Sequence, residues 1–156
     1  MAIKSNHLAH NDERKVDQPS GACLLVRREM WDEIGPLDER FFMYFEEVDF
    51  CYRAKKAGWR IRFTPAAQVV HYGGESTRQN LDVRIVNLRV SLLRFFRKHY
   101  PGWRLAVLRL LLLFEMAWRT AAAVLWAMLP GRDRSSLRPL LRRHLRVVSL
   151  CLGSAE

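Results

Sequence analysis

The stretch from Trp103 to Leu129 constrains this chain most. Pro101-Gly102 stops whatever precedes it and Pro130-Gly131 stops whatever follows, with no turn-forming residue between them. A run of 27 residues without a breaker reads as one helix, about 40 Å long at 1.5 Å per residue. Its charges are few: Arg104, Arg109, Glu115 and Arg119. Such a helix can span a bilayer, lie in the membrane interface, or form part of a soluble helical hairpin. Glu115 and Arg119, four apart, can neutralise each other, which lowers the cost of immersion. Arg109 and Arg119, ten apart, do not share one narrow face.

Charge divides the chain in two. Residues 1–80 hold 12 Lys and Arg against 12 Asp and Glu, whereas residues 81–156 hold 14 against 4, the whole excess of +10. Basic charge combined with long apolar stretches points to an anionic membrane surface and away from nucleic acid. Leu81 to His99 has apolar residues at 81, 85, 88, 92, 95 and 96 with Arg between them, an amphipathic basic helix. Leu140 to Leu152 predicts a third helix. Residues 81–156 are therefore expected to be a basic, apolar, membrane-associated helical region. The three cysteines, at 23, 51 and 151, have no paired spacing, which argues against a disulfide scaffold or zinc site. Residues 1–17 are polar, without a secretory signal, and are expected to be a disordered lead-in.

Between these regions the pattern is α/β. Ala22 to Arg27 and Gln68 to Tyr72 are apolar enough for strands, and Arg60 to Thr64 alternates. Arg28 to Ile34 can form two helical turns, ended by a left-handed cap at Gly35 and by Pro36. Glu46 to Ala57 is acidic in its first turn, basic in its last and followed by Gly58, which predicts a helix.

The chemistry-bearing residues lie between Ser20 and Thr77. Arg27-Arg28 is followed by Gly35, then by Leu37-Asp38-Glu39-Arg40-Phe41-Phe42-Met43-Tyr44-Phe45-Glu46-Glu47-Val48-Asp49, then by Arg53, Gly58 and Pro65. His71 comes next, ahead of Gly73-Gly74-Glu75-Ser76-Thr77. Taken singly these are an acidic helix start, a structural histidine and a glycine turn. As an ordered set, covering about 60 of the 156 residues, they resemble the second half of the catalytic domain of family 2 glycosyltransferases, in particular bacterial rhamnosyltransferase-like members.

The resemblance implies a GT-A fold, of which residues 18–80 form the C-terminal, acceptor-side half. It implies an inverting transfer of a sugar from a nucleotide-diphospho-sugar to a cell-envelope glycan or polyprenyl-linked acceptor, with rhamnose carried on dTDP as the family-level donor. Glu47 falls at the position of the catalytic base, where the family usually has Asp, and Glu46 at that of an orienting carboxylate. Asp49, Ser76, Thr77 and Arg78 fall in substrate-binding stretches. Asp38 and Arg53 are assigned structural roles; Asp49 is also placed to pair with Arg53, four residues on. His71 matches a ligand of the divalent metal, Mn²⁺ or Mg²⁺, that neutralises the departing diphosphate, imidazole suiting Mn²⁺ better.

The family's Asp-x-Asp metal motif is expected upstream of Gly21 and is not found there. The chain is thus expected to lack the donor-binding half, to show no transfer alone, and to leave apolar surface bare between residues 20 and 75. Its expected location is the cytoplasmic face of the bacterial inner membrane, peripheral or anchored by the 103–129 helix. The alternative is a non-catalytic basic peripheral membrane protein or fragment.

Overall fold

The computed structural model describes residues 12–71, 81–129, 135 and 137–153, the side chains of 81 and 82 excepted. The chain divides into two compact units, 1–80 and 81–156.

In the first unit, β1 (Arg14–Lys15) pairs antiparallel with β2 (Arg62–Phe63), Arg14 opposite Phe63 and Lys15 opposite Arg62. The Arg14 guanidinium lies over the Phe63 ring, 5.2 Å from its centre. Asp17 is bonded to Lys55. Residues 14–17, expected to be part of a disordered lead-in, are therefore tied down by backbone pairing and an ion pair. Helix α1 (Arg28–Ile34) and helix α2 (Glu46–Lys56) form where the sequence predicts. Trp31 and Phe50 join them, their ring centres 5.8 Å apart. Gly35 ends α1 with φ 76° and ψ 177°, a region open only to glycine.

Two expected strands do not form. Residues 22–27 and 68–71 pair with no strand, Tyr72 lying outside the described residues, and Leu25, Val69 and Val70 are exposed. An apolar run becomes a strand only where a neighbour satisfies its amides, and among the described residues neither run has one. The bare apolar surface expected between residues 20 and 75 is present, at Leu25, Phe42, Val69 and Val70.

The second unit is a bundle of helices α3 (Leu81–His99), α4 (Gly102–Met128) and α5 (Leu137–Leu152), each in contact with the other two. Its core is Leu93, Leu112, Met116, Val147 and Cys151. Pro139 sits in the first turn of α5, where its missing N–H costs nothing. The inner face of α3 includes Phe95 of the predicted apolar stripe and extends beyond it. Val86 and Leu93 pack on the core, Leu88 is exposed, and Arg89 donates to both Glu115 oxygens, at 2.9 and 2.7 Å. Arg119 is the second cation on Glu115, at 3.5 Å. The Glu115–Arg119 neutralisation inferred from spacing is therefore secondary to an interhelical pair with Arg89.

Helix α4 shows two faces. Trp103, Val107, Leu110, Phe114, Trp118 and Leu125 are all exposed and lie within an arc of about 80° at 3.6 residues per turn. Arg104, Arg109, Glu115 and Arg119 all fall outside that arc, as do the exposed Leu111 and Trp126. By length and composition α4 could cross a membrane, and little of it is buried in the unit.

Candidate functional site

The loop entering α2 builds the candidate site. Asp38 opens it with a tight turn: its carboxylate accepts from the Arg40 backbone N–H at 3.1 Å and from the Arg40 guanidinium at 2.6 to 3.2 Å, while its carbonyl accepts from the Phe41 N–H at 3.0 Å. Phe41 is buried beyond the turn. The chain then passes through two consecutive residues with positive φ, Tyr44 at 67° and Phe45 at 70°. Bulky L-residues rarely adopt this conformation, which costs on the order of 1–3 kcal/mol each. Phe45 is the residue before α2, so the strain is set at the point where Glu46 and Glu47 leave the loop.

Glu47 is half-buried. Oε1 accepts from the Gln18 side chain at 3.3 Å, and Oε2 is buried without a hydrogen-bond partner. Burial pushes its pKa above the ordinary carboxylate value; Glu46 repels in the same sense, while its own N–H and that of Val48 pull it back. Gly21 lies against its stem: a Cβ there would stand 3.5 Å from Glu47 Cβ. Glu46 Oε2 is likewise buried and unpaired. Below Glu47 on α2, the Cys51 thiol is pushed up by burial and by the Glu47 charge, against Lys55.

Asp49 and Arg53 face the other way. Asp49 is fully buried and accepts from Arg53 Nε at 2.8 Å. The rest of the Arg53 guanidinium donates to the carbonyls of Ile34, Gly35 (3.4 Å) and Pro36 (2.7 Å). One arginine thus closes the end of α1 onto α2 and sets the start of the 37–45 loop. Asp49, named above among substrate-binding residues, has its carboxylate turned into this clamp.

His71 is exposed at the edge of the described segment. Ser76, Thr77 and Arg78 lie outside the described residues. Among the described residues no three His, Cys, Asp or Glu side chains come together as a metal site.

The arrangement sets two adjacent carboxylates with unpaired buried oxygens directly after a strained loop. A carboxylate with a raised pKa is suited to accept a proton from a hydroxyl. The sequence showed the Glu46–Glu47 pair and Gly21 in the motif. It gave no sign of Gln18, 29 positions before its partner, or of the Tyr44–Phe45 conformation.

Residues 5–89 match the family model described as glycosyltransferase like family 2. Among curated proteins, the N-acetylglucosaminyl-diphospho-decaprenol L-rhamnosyltransferase of Mycobacterium tuberculosis is 38% identical over 136 residues, 87% of this chain and 41% of that protein. A match of that length cannot fit within residues 1–80, so it runs well into the helical unit. The low-salt glycan biosynthesis hexosyltransferase Agl10 of Haloferax volcanii is 36% identical over 37% of this chain and 19% of that protein. Rhamnosyltransferase WbbL of Escherichia coli K12 is 35% identical over 40% of this chain and 24% of that protein. The chain thus spans about two-fifths of the mycobacterial relative's length and less of the others. No solved structure matches.

Proposed function

Since this chain belongs to the family 2 glycosyltransferases, we propose that it supplies the acceptor side of an inverting sugar transfer, with Glu47 as the base. The donor is a nucleotide-diphospho-sugar, dTDP-rhamnose by analogy with the rhamnosyltransferases, and the acceptor is a polyprenyl-diphosphate-linked glycan. The observation that carries this is the Glu47 carboxylate: half-buried, raised in pKa, with one buried oxygen unpaired. In a displacement the acceptor hydroxyl loses its proton as it attacks the anomeric carbon. Glu47 takes that proton, and Glu46 beside it orients the hydroxyl. The Asp38 turn and the Arg53 clamp hold both carboxylates at the loop exit, the kind of positioning on which such transfers depend. A divalent metal would neutralise the diphosphate, with His71 as one ligand and the others supplied from outside the described residues.

The helical unit supports a location at the cytoplasmic face of the inner membrane. The uncharged outward stripe of α4 begins at Trp103 and carries Trp118 midway, and the unit bears the whole positive excess of the chain. Exposed apolar side chains on a basic unit suit the plane of the interface, where each basic residue near an anionic surface contributes about 1 kcal/mol.

The test is transfer of labelled rhamnose from dTDP-rhamnose to prenyl-diphosphate-linked N-acetylglucosamine, by the chain joined to a donor-binding half. Glu47→Gln is expected to lose about 10²–10⁴ in rate with donor affinity nearly unchanged, and Glu46→Gln to lose less. Full turnover in Glu47→Gln beside a dead Glu46→Gln would place the base one residue earlier.

A further inference from the structure

The segment between β1 and Gly21 reaches the Glu47 carboxylate from outside α2. Just past the β1–β2 pair, the Val16 N–H donates to the Ile61 carbonyl at 3.2 Å. Asp17 is bonded to Lys55, in the last turn of α2. The next side chain, Gln18, reaches the first turn, where its Nε2 donates to Glu47 Oε1 at 3.3 Å. Gly21 then lies against the Glu47 stem. Glu47, Cys51 and Lys55 are four apart and share one face of α2. Residues 17–21 are thus fastened to that face at two points about 12 Å apart along the helix. Pro19 adds a constraint of its own. Its ring disfavours the helical region for Gln18, the residue before it, so the Gln18 side chain leaves from an extended backbone.

This fastening makes the two Glu47 oxygens unlike. The terminal torsion of a glutamate is soft and two-fold, so its oxygens exchange by a half-turn. A donor on Oε1 removes that freedom, and leaves Oε2 buried and without a hydrogen-bond partner. An ionised carboxylate only accepts, so the Gln18 amide turns its N–H toward it. Once Oε2 carries a proton, Oε1 is the carbonyl oxygen of the acid and still accepts from the same N–H. A proton on Oε1 would meet that N–H head-on. The Gln18 contact therefore survives proton transfer to Oε2 and opposes transfer to Oε1.

We propose that Gln18 is a positioning residue, which holds Oε1 of Glu47 so that Oε2 takes the proton of the acceptor hydroxyl. This rests on the reading of Glu47 as the base. The hydroxyl O–H bond breaks toward Oε2 and the hydroxyl oxygen bonds the anomeric carbon. The nucleoside diphosphate leaves with the electron pair of its bond to the sugar. The charged and titratable groups around Glu47 are Glu46, Cys51 and Lys55 on α2 and Asp17 beside Gln18. Substitutions at Gln18 leave all four in place, and Gln18 is exposed, so folding is not at stake.

The experiment follows the Glu47 carboxyl carbon by NMR across pH in the full chain, its signal identified by its loss in Glu47→Gln. Gln18→Leu removes the donor and is expected to raise the Glu47 pKa by about half a unit, because a long, exposed hydrogen bond to a charged group lies at the weak end of its range. Gln18→Lys keeps a donor and is expected to lower it. With the chain joined to a donor-binding half, Gln18→Leu is expected to lower kcat about tenfold at unchanged KM for dTDP-rhamnose, and Gln18→Lys to stay within about threefold of wild type. In the Glu47→Gln background, Gln18→Leu is expected to cost nothing more, since the two side chains act as a unit. Three results would overturn the proposal: a Glu47 pKa unmoved in Gln18→Leu, equal losses of turnover in Gln18→Leu and Gln18→Lys, or an undiminished loss from Gln18→Leu on top of Glu47→Gln. Failure of the base reading shows differently. Glu47→Gln then keeps its turnover whatever Gln18 does to the pKa, and the role of Gln18 falls with it.

Discussion

Arg53→Met removes the clamp between α1 and α2, and with it the guanidinium 5.3 Å from the Phe50 ring centre, while keeping an unbranched apolar stem. Asp49, with no exposed surface, loses the Arg53 Nε donor at 2.8 Å, and the carbonyls of Ile34, Gly35 and Pro36 lose the guanidinium. Breaking a buried pair from one side costs about 3–5 kcal/mol, because the remaining charge stays out of water. The Arg53 side chain is 19% exposed, so water can relieve part of this, and the lower end, about 3 kcal/mol, is the expected value. Arg28→Met is the control. Its pair with Asp32 has a similar length, 2.9 Å, but the two side chains are 84% and 56% exposed, and such pairs contribute about 0.3–0.5 kcal/mol. Native-state hydrogen exchange reads both variants helix by helix. Arg53→Met is expected to lower the protection of α2 amides about a hundredfold, since each 1.4 kcal/mol is a factor of ten, with α3, α4 and α5 unchanged. Arg28→Met should leave all of them within about twofold. Protection of α2 within threefold of wild type in Arg53→Met, or equal losses in the two variants, would refute the argument that burial sets the value of the pair.

Glu47 binds its proton more tightly in the folded state than an ordinary carboxylate, so its contribution to stability is most favourable at low pH and is lost as pH rises through its raised pKa. Glu47→Gln is therefore expected to stabilise the first unit at pH 7 and to lose that advantage below about pH 4; urea unfolding at the two pH values checks the sign. Cys23 is exposed whereas Cys51 and Cys151 are buried, with both thiols pushed up chiefly by burial. A thiol-reactive dye should label one cysteine rapidly and the other two only on unfolding, and peptide mapping should find it at Cys23. The chain should sediment with anionic vesicles and be partly released at high salt; a monomer wholly in the supernatant at low salt would count against interfacial docking by α4.

What the sequence settled alone were features set by neighbours along the chain. The ends of α1 and α2 follow from Gly35 and from the charge gradient between Glu46 and Lys56, and the limits of α4 from two Pro-Gly pairs. The order of the 20–77 motif sufficed to place the family. Pairing across the chain was beyond its reach. Residues 22–27 and 68–71 are apolar enough for strands, yet a strand also needs a neighbour to take its hydrogen bonds. The polar Arg14 and Lys15 gave no strand signal, and β2 took them as its partner. Spacing suggested Arg119 for Glu115; packing placed Arg89 of α3 closer. For Glu47, the sequence identified the residue, whereas the properties a base needs came from elsewhere in the fold. Its burial, the Gln18 contact, the approach of Gly21 and the strained turn at Tyr44 and Phe45 depend on segments that meet only once the chain has folded. The Glu47 pKa is raised chiefly by the water removed from around it, and residue type and spacing along the chain do not carry that information.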